Sequence, residues 1–183
     1  DPAAKDLEGY LFPDTYPVSR HGTASQLVAA MVDRFTHALT PDLRDAAAAR
    51  KLSVRQLVTL ASIVEKETGA GSERPLVASV YSNRLRIGMG LQCDPTVIYA
   101  LQLRGHYDGN IHKDDLSIDS PYNTYRNPGL PPGPIANPGI DAIKAVANAA
   151  TTDYLYFVAK GDGSHAFART LDEHNANVAR YQR

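Results

Sequence analysis

The chain has 183 residues, of which 43% are hydrophobic and 21% charged, the composition of one ordinary globular domain long enough to bury a substantial core. A formal net charge of −1 offers no basic excess for a nucleic-acid partner. The lone Cys93 excludes an internal disulfide and a thiolate metal cluster. No apolar run approaches the ~20 residues of a membrane span. The opening Asp1-Pro2 carries neither Met nor a signal-like segment, so the chain reads as part of a longer protein whose targeting segment lies elsewhere.

In chain order, Leu7 to Tyr16 alternates aromatic and apolar residues with turn formers, which predicts a short strand interrupted at Pro13. Thr23 and Gln26 stand at capping-box spacing and predict a helix through Leu39, with Leu27, Ala30, Met31 and Phe35 facing inward. Thr40-Pro41 starts a second, alanine-rich helix. Ser53 and Gln56 cap a third, from about Val54 to Thr68, ended by Gly69. Ser72 opens a fourth, running to about Arg86, and Asp94-Pro95 supplies the N-cap and N1 of a fifth through about Leu103.

From Gly105 the chain turns rich in Pro, Gly and Asn, above all over residues 120–139. A loop this long in a compact domain points to function, and its aromatics Tyr122 and Tyr125 argue against disorder. Asn137-Pro138 then starts a helix to about Ala149, Tyr154 to Ala159 is a strand, and Gly161-Asp-Gly163 turns into His165 to Arg169. Thr170 with Glu173 caps a last helix. Helices in the middle, strands at both ends and no βαβ rhythm predict an α+β domain. Its N-terminal and C-terminal segments would form a small sheet beside a helical middle.

The third helix holds an anomaly. At about 100° per residue, Val54, Leu57, Val58, Leu60, Ala61 and Val64 share one broad face, while Arg55, Thr59, Ser62 and Lys66 gather opposite. Glu65 projects between Ala61 and Val58, inside the apolar arc. A carboxyl there would be desolvated, which raises its pKa toward what a general acid needs at neutral pH. The structural alternative is a glutamate that caps, pairs with an arginine such as Arg84, or reaches water at the helix end. The helix pattern supports both. Glu67 lies at the edge of the arc near Leu60, so the two carboxyls cannot face one small site equally. It would orient neighbours or pair with Arg84 or Arg86.

Seven segments carry a resemblance: Leu7 to Tyr16, Ala61 to Glu67, Asn83-Arg-Leu85, Leu91 to Val97, Tyr122-Asn-Thr-Tyr125, Gly129-Leu-Pro-Pro-Gly133 and Tyr154 to Val158. In this order, across nearly the whole chain, they resemble the MltG (YceG-like) endolytic murein transglycosylases. The resemblance implies a bacterial enzyme tethered by one N-terminal membrane helix. Its catalytic part would lie outside the cytoplasm, cut peptidoglycan glycan strands internally and partner with peptidoglycan synthases. Residues 1–183 would be the catalytic domain alone, without the anchor and the LysM-like subdomain that precedes it.

The same resemblance makes Glu65, the first Glu of Val-Glu-Lys-Glu, the catalytic glutamate. By analogy it places Gln92, Asp94, Thr96, Tyr122, Asn123, Thr124 and Tyr125 against the sugars, with Glu67, Asn83 and Arg84 in support. For Asp94 the plain alternative is the N-cap of its helix. Such an enzyme protonates the oxygen linking N-acetylmuramic acid to N-acetylglucosamine while positive charge builds at the anomeric carbon. The muramic acid's own 6-hydroxyl then attacks, so one carboxyl serves as acid and then base, and the product is a 1,6-anhydro end. No cofactor is expected. Two alternatives stand beside this reading: a muramidase using Asp94 or Asp119 as second carboxylate, and a peptidoglycan-binding module without activity. A metal site drawn from His106, Asp108, His112, Asp114, Asp115, His165 and His174 is not expected. These residues form no ligand motif, and Tyr107-Asp-Gly-Asn110 reads as a turn.

Overall fold

In the computed structural model, which describes residues 4–182, the chain is built around α3 (Val54–Glu67). Ser53 and Gln56 form the reciprocal capping box that their spacing predicts, and every residue from Leu57 to Val64 is buried. A helix enclosed on all sides belongs in the middle of a core. Accordingly α3 packs against α2 (Pro41–Ala49), α4 (Arg74–Arg86), α5 (Asp94–Leu103) and α6 (Ile140–Ala147). Thr59 and Ser62, expected on a solvent face, are instead 2% and 0% exposed. Ser62 Oγ donates to Thr59 O at 2.7 Å and accepts from Ile135 N at 3.0 Å. The proline-rich loop therefore covers this side of α3, and Arg55 fastens it by donating to Pro132 O at 2.8 and 3.1 Å.

Around this axis the caps act as their sequences predict. Thr23 and Gln26 close a capping box on α1 (Ala24–Ala38), which buries Phe35 while leaving Ala30 exposed. Thr40 caps α2. A 3-10 turn over Gly71–Glu73 precedes α4, so Ser72 does not itself open that helix. Strands β1 (Tyr156–Ala159) and β2 (His165–Ala168) pair antiparallel with Phe157 opposite Phe167. Their turn carries Gly161 and Gly163 at φ 86° and 85°, a left-handed backbone that glycine adopts at no steric cost. Helix α7 (Leu171–Tyr181), capped by Thr170, lies against the hairpin. The domain is α+β, with helices dominating.

Two expectations are corrected. The N-terminal segment forms no strand among the described residues, and the sheet belongs wholly to the C-terminal segment. Tyr10 and Phe12 do enter the core at 7% and 4% exposure. The N–H groups of Gly9 and Leu11 point one way, as alternate donors of a strand would, yet both end on Asn137 Oδ1 at 2.9 and 3.0 Å. A side chain thus replaces the partner strand. Gly9 sits at φ 88° where a Cβ would come within 2.4 Å of Pro134 Cγ, so the crossing requires glycine. This duty takes Asn137 away from the helix start: α6 begins at Ile140 with Gly139 at its N-cap. Asn137→Ala orphans two backbone donors at once and is expected to lower stability by about 1–3 kcal/mol. A fall in the urea midpoint at unchanged m-value would register it.

Candidate active site

The end of α3 opens into a cleft of about 610 Å³. Glu67, the last residue of α3, forms its inner wall with Tyr81 and Arg84 of α4. Gln92, Asp94 and Tyr125 line one side. Tyr156, Phe157 and His165 of the hairpin and His174 of α7 line the other. Clefts of similar size elsewhere, about 620 Å³ beside Tyr10 and Phe35 and about 580 Å³ beside Lys51 and Arg86, contain no glutamate.

Glu67 remains partly exposed at the wall, but its carboxyl end is enclosed. It accepts a hydrogen bond from the Tyr81 hydroxyl, and the Cys93 thiol acts on it as a weaker donor. Burial pushes its pKa up and the charge of Asp94 pushes the same way, against the two donors and His165. The negative end of the α3 dipole adds to this upward push. Tyr81, 2% exposed, is fixed by the edge of Phe157, with ring centroids 5.9 Å apart at 89°.

Glu65 lies elsewhere. Two residues on a helix are about 200° apart, and because α3 is buried on every side, its apolar arc does not mark the cleft. The Glu65 side chain is 29% exposed and its Oε1 stands 3.5 Å from Arg74. Its Oε2 accepts from Gly139 N at 3.1 Å, and Arg74 continues to Asp141 at 3.8 Å. The expected apolar surrounding is therefore corrected: Glu65 ties the end of α3 to the starts of α4 and α6 through polar partners.

Of the other residues singled out in the sequence, Gln92, Asp94, Tyr125 and Arg84 reach the cleft. Gln92 does so from a left-handed backbone at φ 50°, a conformation that costs a non-glycine residue energy and recurs at functional sites. Asp94 is the first residue of α5, with Cys93 at the N-cap, and makes no capping bond. Its Oδ1 instead accepts from the Tyr125 hydroxyl at 2.6 Å. Burial, then this carboxylate, holds the Tyr125 phenol well above its ordinary range. Arg84, 7% exposed, donates to Leu155 O and Leu91 O, both at 2.6 Å, and lies 5.3 Å over the Tyr156 ring. Its bonds go to carbonyls rather than to either glutamate.

The remaining sites do not open into the cleft, and for Thr96, Asn123 and Thr124 burial corrects the expected contact with sugar. Thr96, Asn123 and Thr124 are 0%, 0% and 1% exposed. Thr124 Oγ1 accepts from Cys93 N at 3.0 Å and shares a hydrogen bond with Thr96 Oγ1 at 2.8 Å. Asn123 donates to Leu116 O and Ile118 O at 3.0 and 2.9 Å. These three brace the segments that carry Gln92, Asp94 and Tyr125. Tyr122 packs on Tyr99 with centroids 4.8 Å apart, and Asn83 holds Thr152 O and Tyr154 O at 2.8 and 3.0 Å. Sequence reasoning missed the hairpin wall of Tyr156 and His165 as well as Tyr81 and His174. The alternating aromatics signalled a strand but not which element its face would meet. Among the described residues no group of three or more His, Cys, Asp or Glu is placed to hold a metal ion, and no helix is long and apolar enough to cross a membrane.

One enclosed carboxyl delivered by a central helix into a polar cleft is the layout of an acid–base site on an α+β domain. Residues 1–180 match the YceG-like family, and the chain belongs to it. It is 43% identical over 175 residues to the endolytic murein transglycosylase of Bacillus subtilis (strain 168), covering 96% of this chain and 48% of that protein. Against the endolytic murein transglycosylase of Streptococcus pneumoniae serotype 2 (strain D39) it is 39% identical over 181 residues, covering 96% and 32%. A crystal structure of a yceG-like protein from Listeria monocytogenes superposes with a TM-score of 0.85 at 42% identity, over 96% of this chain and 57% of that one. The chain thus spans about half or less of the curated relatives it matches.

Proposed function

We propose that this domain is the cleaving part of an endolytic murein transglycosylase, acting on the bond between N-acetylmuramic acid and N-acetylglucosamine, with Glu67 rather than Glu65 as its acid and base. The observation that carries this reading is the enclosure of the Glu67 carboxyl at the cleft wall, where burial favours its protonated form. The relatives named endolytic murein transglycosylase supply the substrate class. In the first step Glu67 gives its proton to the glycosidic oxygen as positive charge develops at the anomeric carbon. Once ionised, it is stabilised by the Tyr81 and Cys93 donors. It then takes the proton of the muramic acid 6-hydroxyl as that oxygen closes on the anomeric carbon. No water is consumed, and Glu67 ends as it began. Gln92 can donate to and accept from an acetamido group.

A muramidase would need a second carboxylate on the opposite side of the bond. Asp119, with its side chain 96% exposed beside Arg126, lies outside the cleft. Asp94 lies inside it but is engaged by Tyr125. A binding module has no use for an enclosed carboxyl whose pKa is pushed upward. By the same reading the whole protein works at the outer face of the bacterial cytoplasmic membrane, held by an anchor beyond this chain and beside peptidoglycan synthases. Incubation with purified peptidoglycan, followed by mass spectrometry, tests the activity: anhydro ends support it, and unchanged strands would not.

The pH dependence has a definite sign. An acid with a raised pKa loses activity as pH rises through that value. The Tyr81 hydroxyl favours the carboxylate, so Tyr81→Phe moves the alkaline limb of the rate profile to higher pH. A limb that stayed in place or moved down would remove Tyr81 from this role.

A further inference from the structure

The cleft holds a second proton-binding group that the single-glutamate chemistry leaves unused. His165, at the start of β2, borders the cleft close enough to Glu67 for their charges to interact. Glu73, in the 3-10 turn before α4, grips it twice: Oε1 accepts the His165 backbone N–H at 3.0 Å and Oε2 meets Nδ1 at 2.7 Å. Both side chains are nearly enclosed, at 12% and 14% exposure, and Phe157 packs edge-on against the imidazole with centroids 5.4 Å apart at 87°.

The carboxyl of Glu73 is held below its ordinary range: although burial works against this, the two bonds from His165 outweigh it. A carboxylate only accepts, so Nδ1 must carry the hydrogen. That fixes the tautomer: Nδ1–H faces Glu73 and Nε2 carries the lone pair. Among the described residues Nε2 has no protein hydrogen-bond partner, and it is not among the buried unsatisfied atoms, unlike His174 Nδ1. Its lone pair is therefore open to whatever occupies the cleft.

We propose that His165 contacts the substrate directly, accepting through Nε2 a hydrogen bond from a hydroxyl of the sugar bound beside Glu67, with Glu73 as its positioning residue. This rests on the transglycosylase reading and extends it. A second proton on the ring would remove the acceptor and set positive charge near the anomeric carbon, where positive charge already develops. Glu73 and Lys160 act on the pair from the turn and the end of β1, and Glu67, Asp94, Arg84 and His174 face it from the cleft walls.

The test uses the purified full-length protein, with anhydro ends counted across pH. His165→Phe keeps a ring between Phe157 and Phe167 and is expected to lower kcat/KM roughly tenfold, the loss of about one hydrogen bond. In the wild type, long-range proton–nitrogen NMR is expected to report hydrogen on Nδ1, with a shift at Nε2 on adding a muramic acid–glucosamine disaccharide fragment; this needs no variant to fold. A rate within twofold of wild type in His165→Phe, or an unmoved Nε2 signal, overturns the proposal. If wild type forms anhydro ends and Glu67→Gln does not, such a result sinks the His165 role alone. If wild type forms none, the transglycosylase reading falls first.

Discussion

Glu67→Gln is expected to lower the rate of strand cleavage by about 10³- to 10⁴-fold, the upper part of the range for general acid–base catalysis, with folding intact. The amide keeps the size of the side chain and still accepts from Tyr81, but it has no proton to give the leaving oxygen. Glu65→Gln is the matched control. Its carbonyl oxygen can still accept from Gly139 N, and what is lost is a partly exposed contact with Arg74 at 3.5 Å, worth less than about 1 kcal/mol. Its cleavage rate is expected to stay within about threefold of wild type. Steady-state rates on soluble glycan strands separate the two. Inactivity of Glu65→Gln in a folded protein, with Glu67→Gln still active, would return the catalytic role to Glu65.

The second large effect concerns the joint between the hairpin and the rest of the fold. Arg84→Met keeps the aliphatic stem but removes the donors to Leu155 O and Leu91 O, both 2.6 Å away. Hydrogen bonds to charged groups contribute about 1.5–3 kcal/mol each, so the loss is expected to reach about 3–5 kcal/mol. For a domain of this size that is a drop of roughly 10 °C in Tm. Cleavage falls as well, because β1 and its Tyr156 form one cleft wall. A change below about 1 kcal/mol would mean that the hairpin is held by its contacts with α7 instead.

Local chemistry was readable where it is self-contained. Thr23 with Gln26 and Ser53 with Gln56 close their capping boxes as their spacing demands, and Gly161 and Gly163 turn the hairpin. What could not be read there depended on partners distant in sequence. Leu7 to Tyr16 has a strand's alternation, but its donors found Asn137, 128 and 126 residues away. The arc of α3 pointed to Glu65 because an amphipathic helix is assumed to have a wet face. Here the loop through Ile135 covers that face, and the cleft opens at the helix end, where Glu67 stands. Thr96, Asn123 and Thr124 belong to motifs that build the site, yet they act by bracing backbone. Spacing identifies a motif without saying which of its side chains faces inward.

In the proposed reaction Glu67 directs an internal hydroxyl, not water, to the anomeric carbon. Digestion of purified peptidoglycan in ¹⁸O-labelled water, followed by mass spectrometry of the fragments, tests it most directly. The expected products are 1,6-anhydromuramoyl ends without label, formed by wild type and by Glu65→Gln and absent with Glu67→Gln. Reducing ends, heavier by one labelled water, would contradict it and make Asp94 the carboxylate to pursue.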